Sequence, residues 1–541
     1  MPSRARRTLF SLVVFFATCG LIGMMIDQKV GAQSSTDEST LRDNLRSFTS
    51  VYDIVAQNYA DPITGDKPGK VIYDGAIPGM LRTLDPHSSF YDPKAYAKMR
   101  EDQHGKYYGV GMTIQPQGVG TAQKIVVVFP FEGTPSYRAG IRPGDVIAAV
   151  DGKPTDNLNS EEVANMLKGP KGTHVQVTLV REGASKPLVF DLIRDEIPHN
   201  SVDLKFEIRP GVGYIHLTNF QETTGREISD ALEGFGEPKG LVLDLRGNPG
   251  GLLSEAVAVC DKFLHRGQVI VSQRGRAYPE QIYRATHGES GQEYPVVILV
   301  NHGTASAAEI VSGALQDHDR ALIVGETTFG KGLVQTVYQI SENTGLALTT
   351  YHYYTPSGRL IQRNYSGVSL YDYYYNHDTP QDTKDREVKL TDSGRTVYGG
   401  GGITPDDQID TPKSNHFQES LLGHYAFFNF TKHYLANRTV SKDFQVNDEV
   451  IGEFKQFLKS QDIAFTDQDI AGVRDWINAN IQSEIFTSQF GQQEGLKVRA
   501  EWDPMIQKAL GFLPQAQTLE QNAEKVVAQK AMARNSATSP E

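Results

Sequence analysis

From residue 197 to about 412 the chain alternates short apolar strands with helices: GVGYIHL, a helix near 224–234, GLVLDLRG, a helix near 252–264, PVVILVNHG, and a helix from about 305. Strands that are each followed by a helix pack as an α/β core, and few other folds accept such a chain. The run VVILVNHGTASAAEIVSGAL, residues 296–315, is the sharpest instance. There an apolar strand ends at a glycine turn and a helix begins near Ser306, with Ala307, Ile310, Val311, Ala314 and Leu315 on one face. Ser306 is left at the exposed N-terminal end. A serine in that place has two readings. It can be the helix N-cap, a common role for serine. It can also be a nucleophile, because unpaired amides and the positive end of the helix dipole stabilise an oxyanion, each donor contributing about 3 to 4 kcal/mol.

The stretch GETTFGKGLVQ, residues 325–335, poses a second choice. A phosphate loop needs GxxxxGK followed by serine or threonine and then a helix. Gly332 stands where the hydroxyl is required, and the following LVQTVYQI is β-branched and partly alternating, which favours a strand. Both requirements fail, so Lys331 is not a nucleotide-binding lysine. It stands 25 residues after Ser306, enough for one helix to cross and return, so the two side chains could face each other.

The flanks have other patterns. Arg4, Arg6 and Arg7 precede an uncharged, mostly apolar run over 8–26, and Val30-Gly31-Ala32 offers a small-residue cleavage site. Residues 1–32 therefore read as a signal peptide or an uncleaved signal anchor. Cys19 is a filler of that run. Residues 33–40 form a polar tether, and 33–103 form a helical N-terminal region in which Leu45, Phe48, Val51, Tyr52 and Val55 follow helical steps up to Asp61-Pro62. Residues 104–195 change to short strands, glycine turns and the single helix SEEVANMLKG, a β-rich module. Residues 413–541 are charged and helical in pattern, with a loose tail beyond Ala528 and no function assigned.

Composition removes several classes of function. The 541 residues carry a formal charge of -12, which becomes about -15 without residues 1–32, so nucleic acid and anionic membrane faces are not expected partners. Only Cys260 remains after the leader, so no disulfide within the chain supports the fold. No HExxH or Cys/His ligand spacing occurs, and neither a metal nor another cofactor is expected.

Two resemblances rest on particular stretches. YYGVGMTI, AGIRPGDVIAAVDGK and SEEVANMLKG make 104–195 similar to a PDZ domain. In that family the glycine loop, here Gly109-Val110-Gly111, offers N–H groups to a peptide's terminal carboxylate while the peptide adds as a strand. Val163 and Leu167 would then line the side-chain pocket; core positions are the other reading of these two. NHGTASAAEI, ALQDHDRALIVGETTFGKGLVQ, LTTYHYYTPSGRLIQ and GGGITPD resemble the carboxyl-terminal processing, or tail-specific, serine peptidases over roughly 40–410.

That resemblance implies a multidomain α+β chain with a crotonase-like α/β catalytic core at 196–412. It implies Ser306 as nucleophile, Lys331 as general base and Gln335 as the residue orienting the lysine, with an exposed strand glutamine as the plainer reading of Gln335. The implied oxyanion hole is the N–H of Ala307 with that of Gly250 or Gly251. Ala308 and Gly303-Thr304 depart from the family pattern without removing a catalytic atom. The implied protein is an exported endopeptidase of the periplasm or cell envelope, anchored to the inner membrane only if 8–26 is uncleaved. Its substrates would be proteins or peptides with accessible carboxyl termini, and a homo-oligomer is compatible with the reading. The rivals are a proteolytically silent envelope adaptor and an acyl-CoA-type enzyme on the same core.

The dyad sets a physical condition. An unperturbed lysine has a pKa near 10.4 and only about 0.1% free base near pH 7.4, so the amine must be desolvated to act as a base. Glu326 is the nearest acid in sequence, and the expectation is that it points away from Lys331. His302 is read as structural, and Asp244 as a turn-capping aspartate.

Overall fold

The computed structural model describes residues 35–118, 123–287, 294–376 and 386–537. The leader expected at 1–32, with its apolar run and Cys19, lies outside them. No helix among the described residues is long and apolar enough to cross a membrane. The chain divides into two compact units, one ending at Thr83 and one beginning at Leu84.

The first unit is helical. Its long helix, Ser35–Asn58, begins earlier than the apolar spacing indicated and exposes Leu45, Phe48 and Val51. Short helical segments Lys67–Lys70, Val71–Ala76 and Ile77–Arg82 come next. The helical region expected over 33–103 is thus interrupted. Pro86 disfavours helical backbone at Asp85, and the helix Pro93–His104 belongs to the second unit.

Within that second unit the β-rich module is an antiparallel sheet in the order Met112–Gln117, Lys124–Pro130, Val146–Val150, His174–Val180, Leu188–Ile193. Met112–Gln117 is an edge strand, paired on one side only. The helix Ser160–Leu167 lies against the sheet and is closed by a capping box between Asn159 and Glu162. Entry and exit strands, Lys106–Gly109 and Asp195–Pro198, pair with each other and tie off the module.

The α/β core is a six-stranded sheet in the order Val202–Arg209, Val212–Leu217, Gly240–Asp244, Val296–Val300, Leu322–Gly325, Asp407–Gln408. The first pair is antiparallel and every other pairing is parallel. Side chains alternate between two cores, as strand geometry demands. Leu241, Leu243, Val296, Ile298 and Val300 point to the helices Thr224–Phe235, Leu253–Cys260 and Ala307–Asp317. Val242, Val297, Leu299, Leu322 and Val324 point the other way, onto Ala500, Met505, Ile506, Ala509 and Ala516.

That second layer comes from beyond residue 412. The helices Gln492–Trp502, Pro504–Gly511 and Leu513–Ala537 cover the sheet, so a boundary drawn at 412 is not a packing boundary. The tail expected to be loose beyond Ala528 continues as helix to Ala537. Between 417 and 490 a separate helical core forms around Phe427, Phe430, Phe454, Ile477 and Ile481.

A second, antiparallel sheet contains Leu333–Ser341 and Thr344–Tyr354. It places Lys331 just before a strand, as the β-branched sequence required.

Candidate active site

Ser306 sits between the apolar strand Val296–Val300 and the helix Ala307–Asp317, with φ +54° and ψ -116°. A non-glycine residue in that region costs on the order of 1 to 3 kcal/mol and persists only where its surroundings hold it. Four hydrogen bonds do so. Its N–H donates to Glu309 Oε2 at 2.8 Å, its carbonyl accepts from Tyr353 Oη at 3.2 Å, and the same carbonyl accepts from the amides of Glu309 and Ile310.

Glu309 is the residue that sequence reading missed. It is fully buried, in a helix whose every residue from Ala307 to Asp317 is buried, and it lies off the apolar face of Ala307, Val311 and Ala314. Its Oε1 accepts from Thr328 Oγ1 at 2.5 Å and Gly330 N–H at 2.7 Å; its Oε2 accepts from Ser306 N–H and, at 2.9 Å, Lys331 N–H. The backbones of Ser306 and Lys331 are therefore pinned to one oxygen atom. Phe329 N–H adds a direct link to Thr304 O at 2.9 Å. The GGGITPD stretch supports the same loop from behind, Ile403 N–H donating to Thr328 Oγ1 at 2.7 Å.

Burial of the Lys331 side chain lowers its pKa, and the negative charges of Glu309 and then Asp85 oppose that shift. The amine makes no ion pair among the described residues. Glu326 is turned away as expected: its Oε1 accepts from Thr411 N–H at 2.9 Å, and its Oε2 lies 3.8 Å from His302 Nε2. His302 is a half-exposed partner of that carboxylate.

The lysine's other wall comes from LDPHSS, residues 84–89. Asp85 Oδ1 accepts from the amides of His87 and Ser88, each at 2.7 Å. His87 Nε2 is 2.9 Å from Tyr373 Oη, and its ring packs edge-on to Phe329, Tyr373 and Tyr374. Burial, then the Lys331 charge, push His87 down to about 4, so its imidazole is neutral near pH 7.

Two side-chain pairings bear on this dyad. Ser306 Oγ and Lys331 Nζ are not hydrogen-bonded to each other in this structure. Gln335 does not hold the amine either; its Nε2 donates to Thr349 Oγ1 at 3.1 Å. The cause is a register shift between Val334 and Gln335 that sets Gln335 opposite Thr349.

The amides read as oxyanion donors differ in what they bond. Gly250 N–H is taken by Asn248 Oδ1 at 2.9 Å. Gly251 N–H and Ala307 N–H have no hydrogen-bond partner among the described residues. Gly250 contributes closeness instead. A Cβ there would stand 2.7 Å from Ser306 Cβ and 2.8 Å from Ala307 N, and its φ is +95°. Gly250→Ala is expected to lower kcat by at least about tenfold, with a smaller fall in Tm, measured by peptide hydrolysis and thermal melting. Asp244 is a turn cap, its Oδ1 accepting from Arg246 N–H at 3.0 Å.

In the β-rich module, Gly111 has φ +77° and lies so close to Thr134 that a Cβ would approach that side chain to 2.4 Å. The Val110 and Gly111 amides take no partner among the described residues and lie beside the edge strand. Val163 and Leu167 do not line an open pocket. They are 0% and 5% exposed and fill the module's core with Val110, Met112 and Val177, because the helix packs flat on the sheet through those two positions.

Comparison with known proteins gives three family matches. Peptidase family S41 matches residues 211–369, a PDZ domain matches 100–180, and the C-terminal helical domain of a probable PDZ-protease matches 417–469. A carboxy-terminal-processing protease of Bartonella bacilliformis is 37% identical over 446 residues, covering 78% of this chain and 98% of that protein. The carboxy-terminal processing protease CtpA of Bacillus subtilis is 31% identical over 363 residues, 66% of this chain and 76% of that protein. Among solved structures, the photosystem II D1 C-terminal processing protease shares 30% identity over 67% of this chain and 92% of its own, with a TM-score of 0.35.

Proposed function

This chain belongs to peptidase family S41, the carboxy-terminal processing serine proteases, and from that premise we propose that it cleaves proteins near their carboxyl termini through an acyl-enzyme on Ser306, with Lys331 as general base. The observation that carries the reading is the shared carboxylate oxygen of Glu309, which binds the amides of both residues. Two segments separated by a helix and a strand are thereby held side by side.

The chemistry needs a neutral lysine, and its desolvation supports one. On substrate binding, rotation of the lysine's four-carbon stem brings Nζ to Ser306 Oγ; catalytic hydrogen bonds commonly tighten only in the substrate complex. Lys331 takes the hydroxyl proton as Oγ attacks the scissile carbonyl. The oxyanion is met by Ala307 N–H at the helix N-terminus and by Gly251 N–H across the turn. The lysine then gives its proton to the departing amine, and water, activated by the same lysine, releases the acyl group. Gln335 Oε1, not used in the bond to Thr349, is the acceptor that orients the amine without fixing its charge.

The pH dependence has a definite sign. Protonated Lys331 cannot accept the serine proton, so kcat is expected to rise with pH across its lowered pKa and to fall by about tenfold per unit on the acidic limb. A kcat profile flat from pH 8 to 6 would argue against Lys331 as the base.

The PDZ domain is assigned the recognition of substrate tails, with the Val110 and Gly111 amides receiving the terminal carboxylate and the edge strand Met112–Gln117 receiving the peptide. Gly111→Ala is expected to raise KM about tenfold at nearly unchanged kcat, and amidation of the peptide's carboxyl terminus should do the same to the unaltered protein. Equal KM for free and amidated peptides would remove the PDZ domain from substrate capture. Export to the cell envelope is proposed from the leader and the membership of the family. Fluorophosphonate labelling of Ser306 separates this reading from a silent adaptor: the adaptor does not label.

A further inference from the structure

The loop that carries Gly251 is fastened at its start by a side chain whose second partner lies in the C-terminal helices. Asp244, the last residue of its strand, accepts from Arg246 Nε at 2.9 Å and from Arg246 Nη2 at 2.6 Å. The same Nη2 donates to Asp503 Oδ2 at 3.0 Å, across a separation of 257 residues. Asp503 also caps the helix Pro504–Gly511, its Oδ1 accepting from Met505 N–H at 2.7 Å and Ile506 N–H at 3.2 Å. Arg246 thus has two carboxylates fixing its guanidinium plane, one from the catalytic sheet and one from a helix that packs over that sheet.

From Arg246 a chain of short connections runs into the reaction centre. Gly247 N–H donates to Asn301 Oδ1 at 2.8 Å, Ala305 N–H donates to Asn248 O at 2.9 Å, and Phe220 N–H donates to Gly250 O at 3.0 Å. The loop has no regular structure of its own between Leu245 and Gly250. Its shape is set by these bonds and by where Arg246 is held. The three side chains are largely out of water, Asp244 being 1%, Arg246 18% and Asp503 26% exposed, so solvent screens them weakly.

We infer that Asp503 is a positioning residue for peptide-bond cleavage: through Arg246 it sets the placement of the oxyanion loop, and it makes turnover depend on the docked C-terminal helices. The inference rests on the assignment of Ser306 as nucleophile and of the Gly251 amide as an oxyanion donor. It gives the residues beyond 490 a part in catalysis in addition to their part in the core.

Asp503→Asn tests it, because asparagine caps a helix about as well as aspartate while removing the charge that faces Arg246. The expected result, with an internally quenched peptide bearing a free apolar carboxyl terminus, is a fall in kcat of about tenfold with KM changed by less than about twofold. The rate of fluorophosphonate labelling of Ser306 should fall in parallel, since phosphonylation uses the same donors, and Tm should stay within about 2 °C. Asp503→Glu is expected to recover most of the lost kcat, and Asp503→Ala, which also removes the cap, to lower Tm. Unchanged kcat in Asp503→Asn, a loss of kcat matched by loss of folded protein, or a Glu variant as slow as the Asn variant each overturns the inference. Ser306→Ala assayed alongside distinguishes the two levels: residual cleavage there defeats the assignment of the nucleophile, whereas an inert Ser306→Ala with a fully active Asp503→Asn defeats only the role of Asp503.

Discussion

Ser306→Ala and Lys331→Ala are each expected to lower kcat against an unfolded protein by about 10⁴-fold or more. The double variant should be no worse than either alone, because the two side chains act in one proton transfer. Removal of Ser306 takes away the atom that bonds to the carbonyl carbon; removal of Lys331 leaves the hydroxyl protonated. Stability should respond differently. Because folding lowers the pKa of Lys331, the unfolded chain binds the extra proton between the folded and unfolded pKa values, and stability rises with pH across that window. Below the window the buried ammonium opposes folding, so Lys331→Met is expected to be at least as stable as the parent chain at pH 7. Thermal melts at several pH values, with casein degradation followed on a gel, check both halves. Cleavage retained by either single alanine variant would sink the dyad.

Glu309→Ala is expected to be the costliest single substitution for the fold near the site, by about 3 to 5 kcal/mol, a large share of a typical stability of about 5 to 15 kcal/mol. It would strand three backbone amides and one hydroxyl, at Ser306, Gly330, Lys331 and Thr328. Glu309→Gln separates fold from chemistry. Glutamine fills the same space but turns one oxygen into an NH₂ group that meets two N–H or O–H donors. Either the Ser306 and Lys331 amides or the Thr328 and Gly330 groups lose their acceptor. About 10²-fold in kcat is expected to go, for about 2 to 3 kcal/mol in stability. The negative charge that raises the Lys331 pKa also disappears, so the acidic limb of residual activity should move to lower pH. A limb that stays in place would mean that the amine does not feel this carboxylate.

The reach of the sequence was uneven for physical reasons. Lys331 was legible because rejecting a phosphate loop required only Gly332 and a β-branched continuation, both local properties. Ser306 was legible at the end of VVILV, where a wholly apolar strand must be buried on both faces. Glu309 was not. An acid three residues into a helix is an ordinary N-terminal feature, and its place off the apolar face of Ala307, Val311 and Ala314 pointed to solvent, whereas the whole helix is buried. His87 and Asp85 were hidden because their role depends on Tyr373, far along the chain, closing over them. Val163 and Leu167 show the limit of helical spacing: one turn apart fixes a shared face, but not whether that face meets a ligand or a core. The pairing of Gln335 with Thr349 was hidden because it arises from a one-residue irregularity in strand pairing, which no propensity records.

The helices between Gln492 and Ala537 form one entire side of the catalytic sheet, burying Val242, Val297, Leu299 and Val324. Those residues are made some two hundred positions earlier in translation. The sheet therefore lacks its second wall for as long as the segment near Ala516 remains inside the ribosome. A chain that stops short of that segment is expected to leave Val242, Val297, Leu299 and Val324 facing water, an apolar sheet surface open to association with other chains.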